Sequence, residues 1–192
     1  MYRSIFKPFI DFFFAVVLLV LLCPLFVLIF LILLIHFREN PLFIQKRIGK
    51  NEVGFWILKF RTMNQNKNSN GVLLSDNERT TKIGLFIRKT GLDEIPQLLN
   101  ILRGEMSFIG PRPLLPEYLP LYDSFSRKRH LIKPGITGLA QVNGGNSLAW
   151  KKRFEFDIFY INNYSFILDL KIIANTFKTT FEKKRQNIGA LE

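Results

Sequence analysis

Asp93 and Glu94 form an adjacent pair of carboxylates in a chain with more basic than acidic residues. The spacing of apolar residues after them predicts a helix over 93–102, so the dyad lies in its expected first turn. The positive end of the backbone dipole favours carboxylates there, and free amides can bind phosphate oxygens. Helix capping alone would explain an isolated pair, so the surrounding basic residues decide the interpretation.

Four basic residues lie near the dyad in short motifs that suit a phosphate-bearing substrate. They are Lys59 and Arg61 in the run 59–63, Arg88 just upstream of the dyad, and Arg112. Prolines on both sides of Arg112 restrict its backbone and favour a guanidinium held for bidentate recognition of phosphate. A single basic residue is more often a solvated surface charge, so the expectation rests on the four together.

The composition agrees with an anionic partner without choosing one. Lys and Arg number 27 against 15 Asp and Glu, and the formal charge of +12 attracts phosphates, nucleic acid or anionic lipid. The single cysteine, Cys23, excludes an intramolecular disulfide framework. His36 and His130 lack companion ligands, which disfavours a zinc site. At 192 residues the chain has room for one ordinary domain and an accessory segment.

An apolar run at residues 12–35 predicts a membrane segment that the protein retains. A straight helix of this length would reach about 36 Å, enough to cross the hydrocarbon core. Pro24 near its middle would kink or break such a helix, and basic residues flank both ends, at Arg3, Lys7 and Arg38. Because the positive-inside rule draws both flanks to the cytoplasm, the run is either one spanning helix or a re-entrant helix.

The sequence after this run predicts a globular part on the cytoplasmic face that begins with a β-hairpin. Aromatic and branched residues indicate strands at 42–44 and 55–60, and turn residues lie at 51–54. The polar stretch 64–70 predicts a mobile loop. Prolines in the segment 110–116 predict an extended or turning backbone.

Helical spacing predicts helices at 79–88 and 93–102, which Gly91 separates. Near the C-terminus, an apolar stripe recurs at helical spacing: Phe166, Leu170, Ile173, Phe177 and Phe181. The opposite face carries Lys171, Lys178 and Lys184. The stripe is either a core-packing face, which is the commoner use, or the apolar side of a helix in the headgroup layer of a membrane.

Three ordered sequence blocks give the chain a specific resemblance. The first comprises Gly84, Arg88 and Leu92–Leu98, the second is Met106–Pro113, and the third is Lys133–Gly138. Together they resemble the catalytic signature of the bacterial sugar transferase family, the monotopic phosphoglycosyl transferases that begin glycan assembly on undecaprenyl phosphate. The short architecture is similar to that of the small members acting in protein N-glycosylation.

The resemblance implies an α+β fold that is mostly helical. Residues 1–36 would form a re-entrant, proline-broken membrane helix, and residues 37–192 a compact catalytic domain with a small β-hairpin and interfacial amphipathic helices. That domain would lie on the cytoplasmic face of the bacterial inner membrane. The helix break would fall at Cys23–Pro24, where serine before proline is frequent in the family. Gly145 replaces a commonly basic residue, which implies altered nucleotide or sugar contacts.

The resemblance also implies the reaction. A sugar-1-phosphate would move from a UDP-sugar, such as UDP-N,N'-diacetylbacillosamine or another N-acetylated sugar, to polyprenyl phosphate, with release of UMP and dependence on Mg²⁺. Asp93 would form a covalent aspartyl-phosphosugar intermediate, and Glu94 would be a magnesium ligand. The phosphates would be bound by Lys59, Arg61, Arg88 and Arg112.

Asp157 and Asp169 fall in regions similar to family motifs. They would provide structural pairing or support to the phosphate-binding groups, with a direct catalytic role as the less favoured alternative. Two other functions stay open: direct transfer in a ternary complex with Asp93 as base, and a non-catalytic basic membrane scaffold. The scaffold gives no reason for the three blocks. Nucleic-acid binding is disfavoured because no recognised binding module accompanies the charge.

Overall fold

The fold is mostly helical, as predicted, and contains two short two-stranded sheets. The computed structural model describes residues 1–188, and the side chains of residues 1–179. The helices are α1 (Lys7–Phe37), α2 (Asp76–Arg79), α3 (Lys82–Thr90), α4 (Gln97–Leu102), α5 (Ser124–Arg127), α6 (Leu139–Val142), α7 (Trp150–Asn163) and α8 (Phe166–Ile188). The strands are β1 (Leu42–Ile48), β2 (Gly54–Phe60), β3 (Ser107–Ile109) and β4 (Gly135–Thr137). Short 3-10 segments lie at Lys50–Glu52, Leu92–Glu94, Pro116–Leu121, Lys128–Leu131 and Gly145–Ser147, and a π-helical turn at Tyr2–Phe6 precedes α1.

The apolar run forms α1, which continues through Pro24 without interruption. Together with the π-helical turn before it, α1 forms the helical segment Tyr2–Phe37, which is long enough and apolar enough to cross a membrane. The break predicted at Cys23–Pro24 is therefore not a gap in the helix, although Pro24 removes one amide from its hydrogen bonding. The helix ends where Arg38 adopts a left-handed conformation with φ of 53°.

One face of α1 packs along the globular part of the chain. Ala15, Ile29 and Leu33 are buried in a core that also contains residues of β2 and α4. Phe26 contacts Phe60 of β2, with ring centroids 5.0 Å apart. Other large apolar side chains of α1 are exposed: Phe9, Phe12, Phe13, Val20, Leu21, Leu28, Leu31 and Ile35. One face of the helix is thus packed, and the rest of its surface presents apolar groups outward.

The beginning of α1 is also tied to the globular part. Lys7 Nζ donates to the Asp169 carboxylate at 2.8 Å. The Asp11 carboxylate accepts a hydrogen bond from the Phe108 amide at 3.3 Å. Since the later turns of α1 pack against β2 and α4, both ends of this long helix contact the same globular part.

The predicted hairpin is confirmed. β1 and β2 pair in antiparallel register, with Leu42 opposite Phe60 and Ile48 opposite Gly54. β1 is longer than predicted because the strand continues beyond the apolar residues 42–44 through the polar residues Gln45, Lys46 and Arg47. The turn includes the 3-10 segment Lys50–Glu52, which overlaps the predicted turn at 51–54, while Gly54 begins β2.

The helix predicted at 79–88 is divided into two. α2 ends at Arg79 and α3 begins at Lys82. Thr81 starts the second helix, since its side-chain oxygen accepts a hydrogen bond from the Gly84 amide at 3.0 Å. The apolar spacing alone did not reveal this N-cap.

Glycines of the motif blocks mark close approaches between backbone segments. A side chain at Gly84 would overlap the carbonyl group of Thr62, so α3 packs directly on the 59–63 motif. Gly110 and Gly135 likewise leave no room for side chains where β3 pairs with β4. This parallel pair was not predicted, and it joins the second block to the third.

The apolar stripe of α8 faces outward, so its interpretation as a core-packing face is wrong. Four of its members expose between 37% and 63% of their surface: Phe166, Leu170, Ile173 and Phe177. The buried face of α8 instead carries Asp169 and Ile172. Phe181 of the predicted stripe and Lys184 of the opposite face lie outside the residues whose side chains are described.

Candidate active site

The dyad occupies a short turn between two helices. Asp93 and Glu94 lie in a single 3-10 turn, and α4 begins only at Gln97. The prediction that they start a longer helix is therefore wrong. Gly91 before the turn adopts φ of 74° and ends α3, while Pro96 after it has no amide to donate. These two residues fix a turn that presents both carboxylates to a cleft.

Lys59 binds both carboxylates of the dyad. Its Nζ lies 2.7 Å from Glu94 Oε1 and 3.7 Å from Asp93 Oδ2. Lys59 is near the end of β2, so the hairpin places its positive charge beside the turn that contains the dyad. The predicted association of the 59–63 motif with the dyad is observed at Lys59.

Asn100 holds β2, and with it Lys59, against α4. Its Oδ1 accepts from the Leu58 amide at 3.0 Å, and its Nδ2 donates to the Trp56 carbonyl oxygen at 2.8 Å. Asn100 is completely buried, so these bonds replace a partner strand at this edge of β2. Asn100 had no place in the predicted site, although a polar residue within the apolar run 98–102 signals a buried hydrogen-bonding role.

The other predicted basic residues line the same cleft at different distances from the dyad. Arg112 Nη1 lies 3.9 Å from Glu94 Oε1, and 48% of its side chain is exposed. Arg88 lines the cleft beside Asp93. Arg61 forms an ion pair with Glu39, so its charge is partly neutralised away from the dyad. Three of the four predicted basic residues are thus free to act at or near the dyad.

Burial raises the pKa of the Asp93 carboxyl above its ordinary value. The positive charges of Lys59 and Arg88 offset part of this rise in pKa, and the neighbouring Glu94 adds to it. Asp93 is therefore a more basic carboxylate than an exposed aspartate. A carboxylate with incompletely compensated charge beside a cleft is a candidate for chemistry.

Two adjoining cavities meet at the dyad. The larger has a volume of about 970 Å³ and contains both acidic residues and the basic residues around them. The second has a volume of about 550 Å³ and is lined by Trp150 and Gly145, among others. Glu94, Arg112 and Asn146 line both cavities. No atom lies within 4 Å of where a Cβ of Gly145 would be, so the glycine leaves open space in the second cavity.

Asp157 lines the second cavity and supports the site through Arg129. It is 3% exposed and accepts hydrogen bonds from Arg129 Nε and Nη2 at 3.1 and 2.8 Å. Arg129 Nη2 also donates to the carbonyl oxygen of Arg112 at 2.8 Å. The predicted structural pairing is observed, and it reaches the backbone of a residue that contacts the dyad.

Asp169 is paired at the junction of three helical segments. Its carboxylate accepts hydrogen bonds at 2.6 Å from the hydroxyl groups of both Tyr2 and Tyr160, and at 2.8 Å from Lys7. The residue is 4% exposed. Its three partners leave it little capacity to bind a ligand, so the observed role is the predicted structural pairing.

The dyad offers hard oxygen ligands for a divalent cation. Among the described residues, no group of three or more His, Cys, Asp and Glu side chains is arranged to hold a metal. Mg²⁺ is commonly held by one or two carboxylates together with substrate phosphates. Asp93 and Glu94 fit that mode of binding.

Comparison with protein families agrees with the motif blocks. The profile of the family described as bacterial sugar transferase matches residues 2–183. This match covers α1, the dyad, both sheets and most of α8.

Curated relatives are similar over most of the chain. EpsL of Bacillus subtilis, named as an uncharacterized sugar transferase, is 48% identical over 160 residues, which are 82% of this chain and 79% of EpsL. A protein of Aeromonas hydrophila, named as UDP-N-acetylgalactosamine-undecaprenyl-phosphate N-acetylgalactosaminephosphotransferase, is 39% identical over 73% of this chain and 36% of its own length. A protein of Klebsiella pneumoniae, named as UDP-glucose:undecaprenyl-phosphate glucose-1-phosphate transferase, is 37% identical over 94% of this chain and 40% of its own length.

Proposed function

Because this chain belongs to the bacterial sugar transferase family, we propose that it transfers a sugar-1-phosphate from a UDP-sugar to undecaprenyl phosphate and releases UMP. The observation that carries the proposal is the Asp93 carboxylate, which faces a basic cleft of about 970 Å³ beside Lys59. The reaction would be the first membrane step of glycoconjugate assembly.

The proposed chemistry is a double displacement at Asp93. A carboxylate oxygen attacks the phosphorus that bears the sugar, the bond from this phosphorus to the bridging oxygen breaks, and UMP leaves with the bonding electrons. An oxygen of polyprenyl phosphate then attacks the same phosphorus, and the bond to Asp93 breaks. Asp93 is restored, and the sugar remains linked to the lipid through a diphosphate. Two displacements divide one difficult transfer into two easier ones.

The basic residues supply the electrostatic part of this mechanism. Lys59 fixes Glu94 and lies close to Asp93, so it stabilises the ionised nucleophile. Arg88 and Arg112 add positive charge to the cleft that would hold the diphosphate. Fixed charges in a partly shielded site stabilise charge that develops on the leaving phosphate. Arg61, paired with Glu39, would act on the incoming donor at a greater distance from the reacting phosphorus.

The site would use Mg²⁺, held by Glu94 with Asp93 beside it. The ion would neutralise the negative charge of the diphosphate, which otherwise repels an attacking carboxylate. Lys59 engages Oε1 of Glu94, which leaves Oε2 for the cation. The donor set of adjacent carboxylates suits a hard cation that keeps substrate phosphates as its remaining ligands.

The packing of α1 supports a re-entrant placement in the membrane. Lys7, near its beginning, and Leu33, near its end, are both buried against the same globular part. A helix that crossed the bilayer would carry one of these ends to the opposite side. Basic flanks on both sides of the run favour the cytoplasmic face of the bacterial inner membrane. Pro24 would bend the helix within the bilayer rather than interrupt it.

The outward stripe of α8 supports a second membrane contact. Phe166, Leu170 and Phe177 are exposed, and Lys171 is exposed beside them. Aromatic and lysine side chains in this pattern suit the headgroup layer. An enzyme seated in this way would receive a soluble donor from the cytoplasm and a lipid phosphate from the interface.

The test is UMP release by the purified protein with Mg²⁺, undecaprenyl phosphate and a panel of UDP-sugars. The relatives' names include different sugars, so the panel contains UDP-glucose and UDP-N-acetylgalactosamine as well as UDP-N,N'-diacetylbacillosamine, which resemblance to the N-glycosylation members favours. We expect release with at least one donor. A complete lack of UMP would contradict the proposed function and favour the membrane scaffold.

A second measurement separates double displacement from direct transfer. The active donor is mixed with protein before any acceptor is added. We expect one equivalent of UMP at most and a protein whose mass has increased by one sugar phosphate on the peptide containing Asp93. UMP release that requires acceptor, with no modified protein, would instead establish a ternary complex with Asp93 as base.

A further inference from the structure

Arg47 faces the catalytic cleft from β1, although none of the motif blocks contains it. It lines the same cavity as the dyad, Lys59 and Arg112. Gln45, two residues earlier on the strand, lines this cavity as well. Lys46 between them is exposed and points to the other side of the strand, as alternation requires.

Among the residues whose side chains are described, no carboxylate forms a hydrogen bond or ion pair with the guanidinium of Arg47. Nη2 donates to Gln45 Oε1 at 2.7 Å, and Nη1 donates to the Pro113 carbonyl oxygen at 3.4 Å. The Nε atom is buried and has no acceptor within the described part of the chain. By contrast, Arg129 pairs with Asp157. A half-buried guanidinium held only by neutral oxygens retains hydrogen-bonding capacity for an anion.

Arg47 and Arg112 are held together by backbone contacts. The amide of Ile48, next to Arg47, donates to the Leu114 carbonyl oxygen at 3.0 Å, so the end of β1 runs beside the segment that carries Arg112. Burial lowers the pKa of the Arg47 guanidinium, the positive charge of Arg112 lowers it further, and Glu117 offsets only part of this. An anion placed between two like charges would relieve this repulsion.

We propose that Arg47 and Arg112 form one subsite for a phosphate group, with Arg47 a binding residue of the reaction. This inference rests on the proposed function. The phosphate belongs either to the nucleotide, as in UMP, or to the lipid acceptor. Two guanidinium forks match the oxygens of a phosphate better than two point charges would. A double displacement brings these two phosphates to the same phosphorus in turn, so one subsite would serve both.

Binding of each phosphate is measured separately on the full-length protein in detergent. UMP without donor and undecaprenyl phosphate without donor are unreactive, so the experiment does not depend on turnover. We expect Arg47→Met to weaken the binding of at least one probe by about tenfold to a hundredfold, because a charge-assisted hydrogen-bonding group is lost. Loss for UMP alone assigns the nucleotide, loss for the lipid alone assigns the acceptor, and loss for both assigns a shared subsite.

Lys46→Met is the matched control, since it removes one positive charge from the adjacent position on the other face of β1. It should change either affinity by less than about twofold, as expected of a solvated surface charge. Arg47→Lys keeps the charge but loses the fork, and it decides the matter if Arg47→Met does not fold. The subsite would be overturned if Arg47→Lys, and Arg47→Met where it folds, bind both UMP and undecaprenyl phosphate as tightly as the wild type. It would also be overturned if Lys46→Met lost as much affinity as the Arg47 variants. The donor panel above tests the proposed function independently of this result.

Discussion

Asp93 and Asp169 are both largely buried carboxylates, yet their surroundings are opposite in kind. Asp169 accepts hydrogen bonds from two tyrosine hydroxyls and a lysine, and its capacity is filled by the protein. Asp93 has Lys59 at 3.7 Å and faces a large cleft. Asp169 therefore stabilises the packing of the helices, whereas Asp93 is left available for reaction.

Asp157 resembles Asp169 in being paired within the protein, although it lines the same cavity as Glu94. It is paired with Arg129, and that arginine also binds the carbonyl oxygen of Arg112. Both hydrogen bonds from Arg129 reach Oδ2 of Asp157, so its structural role rests on this buried ion pair, whereas Asp93 faces the larger cleft with Lys59 at 3.7 Å. Substitutions in the two regions should consequently affect different measurements.

Asp93→Asn should produce the largest effect, a loss of UMP release of at least about 10⁴-fold, as for removal of a nucleophile. The folded structure should not suffer. Burial raises the Asp93 pKa, so the ionised form at neutral pH costs stability, and removing the charge should leave the melting temperature equal or higher. Turnover and thermal unfolding are measured on the same preparation. Normal turnover would exclude Asp93 as nucleophile.

Asp157→Asn should act in the opposite way and destabilise the fold by about 3–5 kcal/mol, because it leaves the Arg129 charge buried without its partner. Turnover per folded molecule should persist. Glu155→Gln is the control on the same helix, since its exposed pair with Lys152 contributes less than about 1 kcal/mol. Lost turnover with an unchanged free energy of unfolding would place Asp157 among the reacting groups.

Glu94→Gln should raise the Mg²⁺ concentration needed for half-maximal activity by at least about tenfold, because one anionic ligand is lost. The measurement is UMP release across a magnesium titration. Asp76→Asn is the control, since Asp76 lines the same cleft and pairs with Arg79. Equal magnesium requirements in both variants and the wild type would exclude Glu94 as the metal ligand.

Lys59→Met should shift the pH dependence. Asp93 must be ionised to attack, so activity declines as pH falls through its pKa, and burial places that decline above the range of an exposed aspartate. Lys59 lowers this pKa, so its removal should move the decline to still higher pH. Lys89→Met, which removes an exposed charge from α3, should leave the profile in place. An unmoved acid limb in Lys59→Met would contradict the electrostatic role of Lys59.

Local sequence patterns were sufficient to predict the hairpin and the partners of the dyad. The turn residues at 51–54 and the aromatic strand after them are short-range signals. Gly91 predicts the end of α3, but the apolar spacing over 93–102 does not reveal that Asp93 and Glu94 lie in a separate 3-10 turn before Pro96. The run 59–63 and the second motif block predicted Lys59 and Arg112 as phosphate-binding residues, and these lie 2.7 Å and 3.9 Å from Glu94 Oε1.

Features that depend on distant partners escaped prediction. Three-residue strands have too few positions to show alternation, so β3 and β4 appear only when Gly110 and Gly135 are seen against each other. The spacing of the α8 stripe predicts an amphipathic helix, but it does not say which medium meets each face. Asp169 occupies the inner face because Tyr2, Tyr160 and Lys7 satisfy its charge, and none of them is its neighbour in sequence.

The hydrogen bond from the Tyr2 hydroxyl to the Asp169 carboxylate joins positions 167 residues apart. Because a protein is made from its N-terminus, the hydrophobic helix leaves the ribosome long before its C-terminal fastening exists. During most of translation this apolar helix therefore lacks its hydrogen bonds to Asp169. Until α8 is made, α1 can pack only against earlier elements such as β2 and α4, so truncation of the last helix should leave the beginning of α1 without its bonds to Asp169.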